Sequence, residues 1–324
     1  MAVTAGVVGI GVHGLHHVRL LSKMDNTRLA GIFDIDARVA ERAAQEFGIT
    51  AYSSLEALLD EVECVVVAVP TSKHRDVVLT CFEHGRHVLV EKPIAATVAE
   101  AEDMNLDAEK RGLVLAVGHV ERFNPAYRQV AEAAASPVFI ESHRLAVFNP
   151  RGTDVAVVLD LMIHDIDVVL DMVRQPVETV NAVGVSVVSD EVDIANARLE
   201  FKGGCVANLT ASRISQRKMR KIRAFRRNSY ISMDFLAGES EVFTLDPNAK
   251  PSAEPGSIPQ LMEGISYGKF PNDGSNALEI ELRDFISAVR DGSSPRVTGH
   301  DGQASLEIAS RVMDSMAASM RRIK

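Results

Sequence analysis

The chain has 324 residues, of which 46% are hydrophobic and 24% charged, and carries a net charge of −9. That length suits two domains, and that composition excludes disordered, collagen-like and coiled-coil proteins. The negative balance excludes a global positive field that would draw the chain to nucleic acid or an anionic membrane, and no apolar run approaches the roughly 20 residues of a membrane span.

The first strand and a glycine loop are reached within about ten residues, so no cleavable leader is expected. Cys64, Cys81 and Cys205 are widely spaced, with no C-x-x-C pair that would suggest zinc or redox chemistry. A cytoplasmic location is the expectation.

Between residues 3 and 120, short β-branched runs alternate with amphipathic stretches. Val7 to Ile10, Leu29 to Phe33, Val65 to Val69, Val88 to Val90 and Leu113 to Val117 read as strands buried on both faces, as in a parallel sheet covered by helices. Helices are expected at 14–24, 37–47, 54–60, 73–84 and 97–111, so the fold class is α/β with a doubly wound sheet.

Beyond about residue 135 the period drops to two. Ala195, Ala197, Leu199 and Phe201 alternate with Asn196, Arg198 and Glu200. Lys202-Gly203-Gly204 then turns the chain into Cys205, Ala207, Leu209 and Ala211, which makes a hairpin. With further strands at 137–148, 177–188, 219–226 and 229–236, the second domain reads as α+β on an open, mainly antiparallel sheet. Pro247 to Gly274, rich in Pro, Gly, Ser and Asn, reads as a long loop or lid. Two helices should close the chain, one with Leu278, Leu282, Phe285, Ile286 and Val289 on its apolar face, the other with Ala304, Ile308, Val312 and Met316. The expected domains are 1–121, which binds a dinucleotide, and 122–324, which binds substrate and forms oligomers. The closing helices are candidates to pack back on the first domain.

Gly9-Ile-Gly11-Val-His-Gly14 follows the first strand and opens the first helix, the context in which a G-x-G-x-x-G binds pyrophosphate. The first glycine permits the turn, the second lets backbone approach phosphate, and the third lets helix and strand pack closely. Asp34, at the end of the second strand, is placed to accept hydrogen bonds from ribose hydroxyls and to repel a 2′-phosphate. NAD is therefore favoured. Arg38 keeps NADP as an alternative, and a helix cap is the other reading of Asp34, although Asp36 is the better-placed cap.

Val69-Pro-Thr-Ser-Lys-His74 follows the fourth strand and Val90-Glu-Lys-Pro93 the fifth. Further on stand Gly118-His-Val-Glu-Arg-Phe-Asn-Pro125, Asp160-Leu-Met-Ile-His164 and Val297-Thr-Gly-His-Asp-Gly302. In this order and spacing the set resembles the Gfo/Idh/MocA family of sugar and cyclitol dehydrogenases, over essentially the whole chain. The resemblance implies an N-terminal Rossmann domain that holds NAD through Gly9, Gly11, Val12, His13, Gly14, Asp34, Ile35, Pro70, Thr71, His74, Glu91 and Lys92. It implies catalysis by Lys92, His164 and Asp160, and substrate contacts from Arg122, Asn124, Asp160, His164 and Arg213. It also implies a homodimer or homotetramer joined through the open face of the second sheet. One feature departs from the family: many members carry a glycine-rich run before the aspartate, and residues 154–160 here contain no glycine.

The chemistry suits these residues. A histidine, with an ordinary pKa near 6.5, is an apt base for a hydroxyl proton. Asp160 and His164 are four residues apart, so a helix sets them on one face. Lys92 can stabilise a developing alkoxide. The competing readings are a solvated helix face for the pair and an exposed lysine for Lys92. His13, His16, His17, His84 and His87 are not expected to be ligands, since no matching carboxylate constellation accompanies them. Asp165 and Asp167 could extend an acidic pocket, but no metal is expected, because a nicotinamide supplies the hydride acceptor without a Lewis acid.

A basic run, Arg213, Arg217, Lys218, Arg220, Lys221, Arg223, Arg226 and Arg227, reads either as a solvated strand face or subunit contact or as an anchor for an anionic substrate. Within the family, residues 157–167 and 193–200 look more like nucleotide-sugar dehydrogenases than inositol or glucose dehydrogenases. This implies oxidation of the 3-hydroxyl of a UDP-linked amino sugar such as UDP-N-acetylglucosamine. A free sugar or cyclitol is the alternative substrate, redox-assisted elimination with retained NAD an alternative reaction, and a non-catalytic NAD-sensing regulator an alternative function.

Overall fold

The computed structural model describes residues 2–149, 155–246 and 264–321. The chain divides into two compact units, Met1–Val120 with Asn276–Glu307, and Glu121–Ser275 with Ile308–Lys324.

In the first unit, β1 (Val3–Val8), β2 (Thr27–Phe33), β3 (Thr50–Ala51), β4 (Cys64–Val67), β5 (His87–Glu91) and β6 (Leu115–Gly118) form a parallel sheet in the order β3-β2-β1-β4-β5-β6. Val65, Val66, Val67, Val88, Leu89 and Val90 are all buried, as central strands covered on both faces require. The intervening helices are α1 (Val12–Leu21), α2 (Ala37–Phe47), α3 (Leu55–Leu59), α4 (His74–Glu83) and α5 (Val98–Arg111). Local chemistry sets their ends. Asp36, Ser54 and Thr97 accept backbone N–H groups at three starts, and Gly48 and Gly112 close α2 and α5 in the left-handed conformation.

The second unit begins with a single turn at Val120–Phe123, then α6 (Pro125–Arg128), α7 (Ala131–Ala134) and β7 (Phe139–Leu145). A π-helical turn at Val158–Met162 runs into α8 (Ile163–Val173). Seven further strands follow: β8 (Val177–Val185), β9 (Ile194–Phe201), β10 (Val206–Ser212), β11 (Met219–Phe225), β12 (Ser229–Asp234), β13 (Glu239–Leu245) and β14 (Ile265–Phe270). They join β7 in an eight-stranded sheet, β14-β13-β12-β11-β7-β10-β9-β8, antiparallel except for the parallel pair β7 and β10. One face packs Ile140, Leu209, Ile222 and Leu199 against Ile166, Val169 and Met172 of α8.

Two helices close the chain, α9 (Ala277–Asp291) and α10 (Gly299–Met320). Leu282, Phe285 and Ile286 bury the apolar face of α9 in the first unit's core beside β1 and α1. Each such side chain contributes about 1.5–3 kcal/mol. Ile308, Val312 and Met316 of α10 belong to the second unit's core.

Three strands correct the sequence reading: β13, β14 and the two-residue β3. Glu239–Leu245 was not among the expected strands, and Ile265–Phe270 falls within the stretch expected to be a loop or lid. β14 is the edge strand and β13 its neighbour, and Glu239, Glu241, Ser266, Gly268 and Lys269 at their exposed and half-exposed positions blur the alternation. The rest of that expected loop, 247–263, lies outside the described residues.

Candidate functional site

The candidate residues are found in both units. In the first, β1 ends at Val8 and Gly9 turns the chain at φ +86°. A Cβ on Gly14 would stand 1.9 Å from the Gly9 carbonyl oxygen, so the first turn of α1 packs directly on the loop only because residue 14 is glycine. Gly11, the N-cap of α1, has nothing within 4 Å of the corresponding position. Backbone N–H groups at a helix start, open to a ligand, suit a pyrophosphate.

The cradle opens onto a cavity of about 600 Å³ whose lining includes Gly9, Gly11, Val12, His13, Asp34 and Ile35 on one side and Pro70 on the other. It lies at the C-terminal ends of β1, β2 and β4, where the strand order reverses. Asp34 holds the loop in place: its Oδ2 accepts the Ile10 N–H at 2.6 Å and its Oδ1 the Asp36 N–H at 2.9 Å. The cap of α2 is Asp36, which accepts the Arg38 N–H at 3.0 Å. Asp34 is thus tied to the glycine turn, and a carboxylate that accepts two backbone N–H groups keeps lone pairs for a ribose.

Thr71 opens the single turn that leads into α4, and His74 begins the helix proper. The buried His74 ring faces the Val69 carbonyl through Nε2 at 3.0 Å and the Pro93 and Ile94 carbonyls through Nδ1 at 2.9 and 3.2 Å. Burial holds its pKa below the usual imidazole value, outweighing those carbonyls. The ring therefore bridges the loop after β4 and the loop after β5. Glu91 closes β5 and Lys92 follows it, joined to Pro93 by a cis peptide bond. Sequence reading found no carboxylate partner for His17; the fold supplies one, with His17 Nε2 2.7 Å from Glu91 Oε1.

In the second unit, Asp160 lies in the π-helical turn and His164 in the first turn of α8. Val158, Met162, Ile163 and Ile166 are buried, and Asp160 and His164 are half-buried. One hydrophobic face thus anchors a helix start whose polar residues reach the surface. Single π turns are frequent at functional sites.

The neighbouring acids of α8 are spoken for. Asp165 receives Nη2 of Arg144 at 2.6 Å, and Glu121 receives Nη1 at 2.9 Å. Burial would weaken the Arg144 charge, but Asp165 and Glu121 more than offset it and the guanidinium stays charged. Arg122 meets Asp167 at 3.2 Å and Asp171 at 2.5 Å, and the Tyr127 hydroxyl donates to Asp171. Asp165 and Asp167 therefore balance buried arginines, and among the described residues no cluster of three or more His, Cys, Asp or Glu could hold a metal ion.

Two residues expected to contact substrate sit inside this scaffold. Arg122 is buried between its two carboxylates. Asn124 caps α6 through the Ala126 N–H at 3.0 Å and donates to Glu121 and the Phe235 carbonyl. Arg213 is buried as well; it donates to the Val155 carbonyl and lies beside Asp193. The rest of the basic run divides. Arg220 pairs with Glu121, Lys221 with Asp234 and Arg223 with Glu141, whereas Arg217 and Lys218 are exposed.

Comparisons with known proteins identify the family. Residues 3–119 match the model of an oxidoreductase family with an NAD-binding Rossmann fold, and residues 117–228 match the Gfo/Idh/MocA C-terminal domain. The chain is 34% identical over 319 residues to a UDP-N-acetylglucosamine 3-dehydrogenase of Acidithiobacillus ferrooxidans, covering 98% of each. A solved structure of a UDP-N-acetylglucosamine 3-dehydrogenase from that organism superposes with a TM-score of 0.89, at 33% identity over 98% of this chain and 99% of the other. A myo-inositol 2-dehydrogenase of Thermotoga maritima is 26% identical, over 93% of this chain and 92% of its own. The chain belongs to the Gfo/Idh/MocA family and is an oxidoreductase whose Rossmann domain takes a nicotinamide cofactor.

Proposed function

We propose that this protein oxidises the 3-hydroxyl of a UDP-linked amino sugar, UDP-N-acetylglucosamine being the model substrate, with NAD as its partner. The observation that carries the reading is the 34% identity, over 98% of both chains, with a UDP-N-acetylglucosamine 3-dehydrogenase. The cradle at Gly9, Gly11 and Gly14 would hold the pyrophosphate, and Asp34 the adenosine ribose, where its charge disfavours a 2′-phosphate. When bound, the nicotinamide supplies the hydride acceptor.

The chain's own residues do the rest. His164 takes the hydroxyl proton, Lys92 stabilises the oxygen as negative charge builds on it, and Asp160 orients the histidine. Because Arg213 is turned inward, the exposed Arg217 and Lys218 are the cations assigned to the substrate's pyrophosphate.

The protein is also read as a homodimer or homotetramer. Phe139, Phe225, Tyr230, Phe243 and Tyr267 stand opposite one another on successive strands, with ring centroids 4.8–5.7 Å apart, on the sheet face turned away from α8. A half-exposed aromatic row of this length suits burial against a second copy. Three free, buried thiols fit a reducing cytoplasm; burial pushes Cys81 up to about 12 and Cys205 up to about 11, which keeps them inert.

The test is NADH formation across UDP-N-acetylglucosamine, its C4 epimer, UDP-glucose, myo-inositol and free hexoses. The highest kcat/KM is expected with UDP-N-acetylglucosamine, and neutralising Arg217 and Lys218 together should raise KM for the nucleotide sugars alone. A higher kcat/KM for an uncharged polyol refutes the reading. His164→Ala should lower turnover by about a hundredfold with NADH affinity unchanged.

A further inference from the structure

We propose that His17 is a positioning residue for Lys92, acting through Glu91. The inference rests on the reading of Lys92 as the charged partner of the reacting oxygen. His17 is on α1 and is completely buried. Of its two ring nitrogens, Nε2 is the one with a hydrogen-bond partner, and Nδ1 is buried without one among the described residues. Its Nε2 lies 2.7 Å from Glu91 Oε1, and the other oxygen, Oε2, accepts the backbone N–H of Lys92 at 3.3 Å. One carboxylate therefore joins the helix that starts at the glycine cradle to the peptide that carries the lysine.

The neighbouring strand is shaped around that carboxylate. Glu91 pairs in register with Gly118 of β6, and a Cβ there would stand 3.1 Å from Glu91 Oε2. Burial by itself would raise the Glu91 pKa, but the His17 hydrogen bond and the electrostatic attraction of its neighbours, Lys92 among them, outweigh it and hold the carboxyl below its ordinary value. On the far side of Lys92, the Pro93 and Ile94 carbonyls face His74. Residues 91–94 are thus pinned at both ends by a buried imidazole, with Lys92 between the two pins. Two such fixings are more than a loop needs merely to stay folded, and they suit a side chain whose reach must be reproducible to a fraction of an ångström.

The test compares His17→Leu, which removes the donor, with His17→Gln, which keeps an N–H at about the same reach. Lys92 is followed by the ¹³C NMR signal of its reductively methylated amine, assigned with Lys92→Arg, and turnover is measured with NAD and UDP-N-acetylglucosamine. His17→Leu should shift the Lys92 signal and lower kcat about tenfold or more, with NADH affinity within about twofold of the parent. His17→Gln should restore both, and in a Lys92→Ala background His17→Leu should cost nothing further.

An unmoved Lys92 signal in His17→Leu, or loss of NADH affinity and thermal stability without a kcat effect, overturns the proposal. If His17→Leu does not fold, Glu91→Gln reads the same contact, and an unmoved signal there overturns it equally. Full turnover in Lys92→Ala would instead refute the role of the lysine, while the NMR shift still decides whether His17 sets its position.

Discussion

The glycine cradle of the first unit and the helix start that carries His164 in the second are built by different physics. The cradle is a matter of backbone shape: Gly9 turns at positive φ, Gly14 lets helix meet strand, and Asp34 ties the loop with two backbone hydrogen bonds. At the start of α8 the backbone is ordinary helix after one π turn, and buried charges do the fixing, Arg144 between Glu121 and Asp165, and Arg122 between Asp167 and Asp171. Shape specified by glycine tolerates no added atom. Position specified by charge tolerates no missing partner.

That contrast ranks the outcomes of substitution. The largest effect is expected at Gly14→Ala, whose Cβ would overlap the Gly9 carbonyl oxygen at 1.9 Å. Calorimetric titration should find no saturable NADH binding; affinity near that of the parent would mean that α1 can slide from the strand without cost.

Next comes Arg144→Met, which leaves Asp165 buried without its cation and Glu121 with only the exposed Arg220. Urea unfolding should show a loss of about 3–5 kcal/mol, the usual cost of breaking a buried pair from one side. Adding Glu121→Gln and Asp165→Asn should recover part of that loss. No recovery would mean that Arg144 acts by packing and not by charge.

A smaller effect is expected at Asp34→Ala, because the loop keeps its glycines. NAD affinity should fall, and the ratio of NADP to NAD affinity should rise about tenfold, since a ribose acceptor and a charge that repels phosphate go together. Equal losses for both cofactors would confine Asp34 to holding the Ile10 and Asp36 N–H groups.

The smallest effect concerns acid. Asp193, buried beside Arg213, accepts the N–H groups of Val187, Val188 and Ser189 and the Ser189 hydroxyl. Burial would raise its pKa, but those hydrogen bonds prevail and hold it well below the usual carboxylate range. A depressed folded pKa adds stability that is present above the unfolded value, near 3.9, and is lost as pH falls through the folded one. Asp193→Asn should therefore be less stable than the parent at pH 7, with the gap narrowing as pH falls below about 4. A gap that does not change with pH would assign the loss to geometry alone.

The same contrast explains what could be read from the sequence. The strands and helices of the first unit, with their caps and glycine fingerprint, are local signals: Val-rich runs between amphipathic stretches, and Asp36, Ser54 and Thr97 at helix starts. The hairpin of β9 and β10 was equally plain, because its period-two pattern brackets a Gly-Gly turn. Less could be read where partners come from far along the chain. His17 meets Glu91 across 74 residues, and nothing near His17 announces a carboxylate. The turn from Gly14 to His17, three residues after the last fingerprint glycine and on the helix face that meets the sheet, was the available signal. Arg213 looked like one of eight clustered cations until the fold turned it inward to Val155 and Asp193, which a strand's alternation cannot report once the strand has ended. β13 and β14 escaped for a related reason, since their pairing with β12 and with each other is a contact between segments whose own alternation is weak.

The central claim, hydride removal from C3 of a UDP-linked amino sugar, is tested most directly with UDP-N-acetylglucosamine deuterated at C3. Mass spectrometry of the reduced cofactor should find one deuterium per turnover, and stoichiometric reduced NAD. Reduced cofactor without deuterium would place the oxidation at another carbon, and no reduction with this substrate beside turnover of myo-inositol would contradict the account.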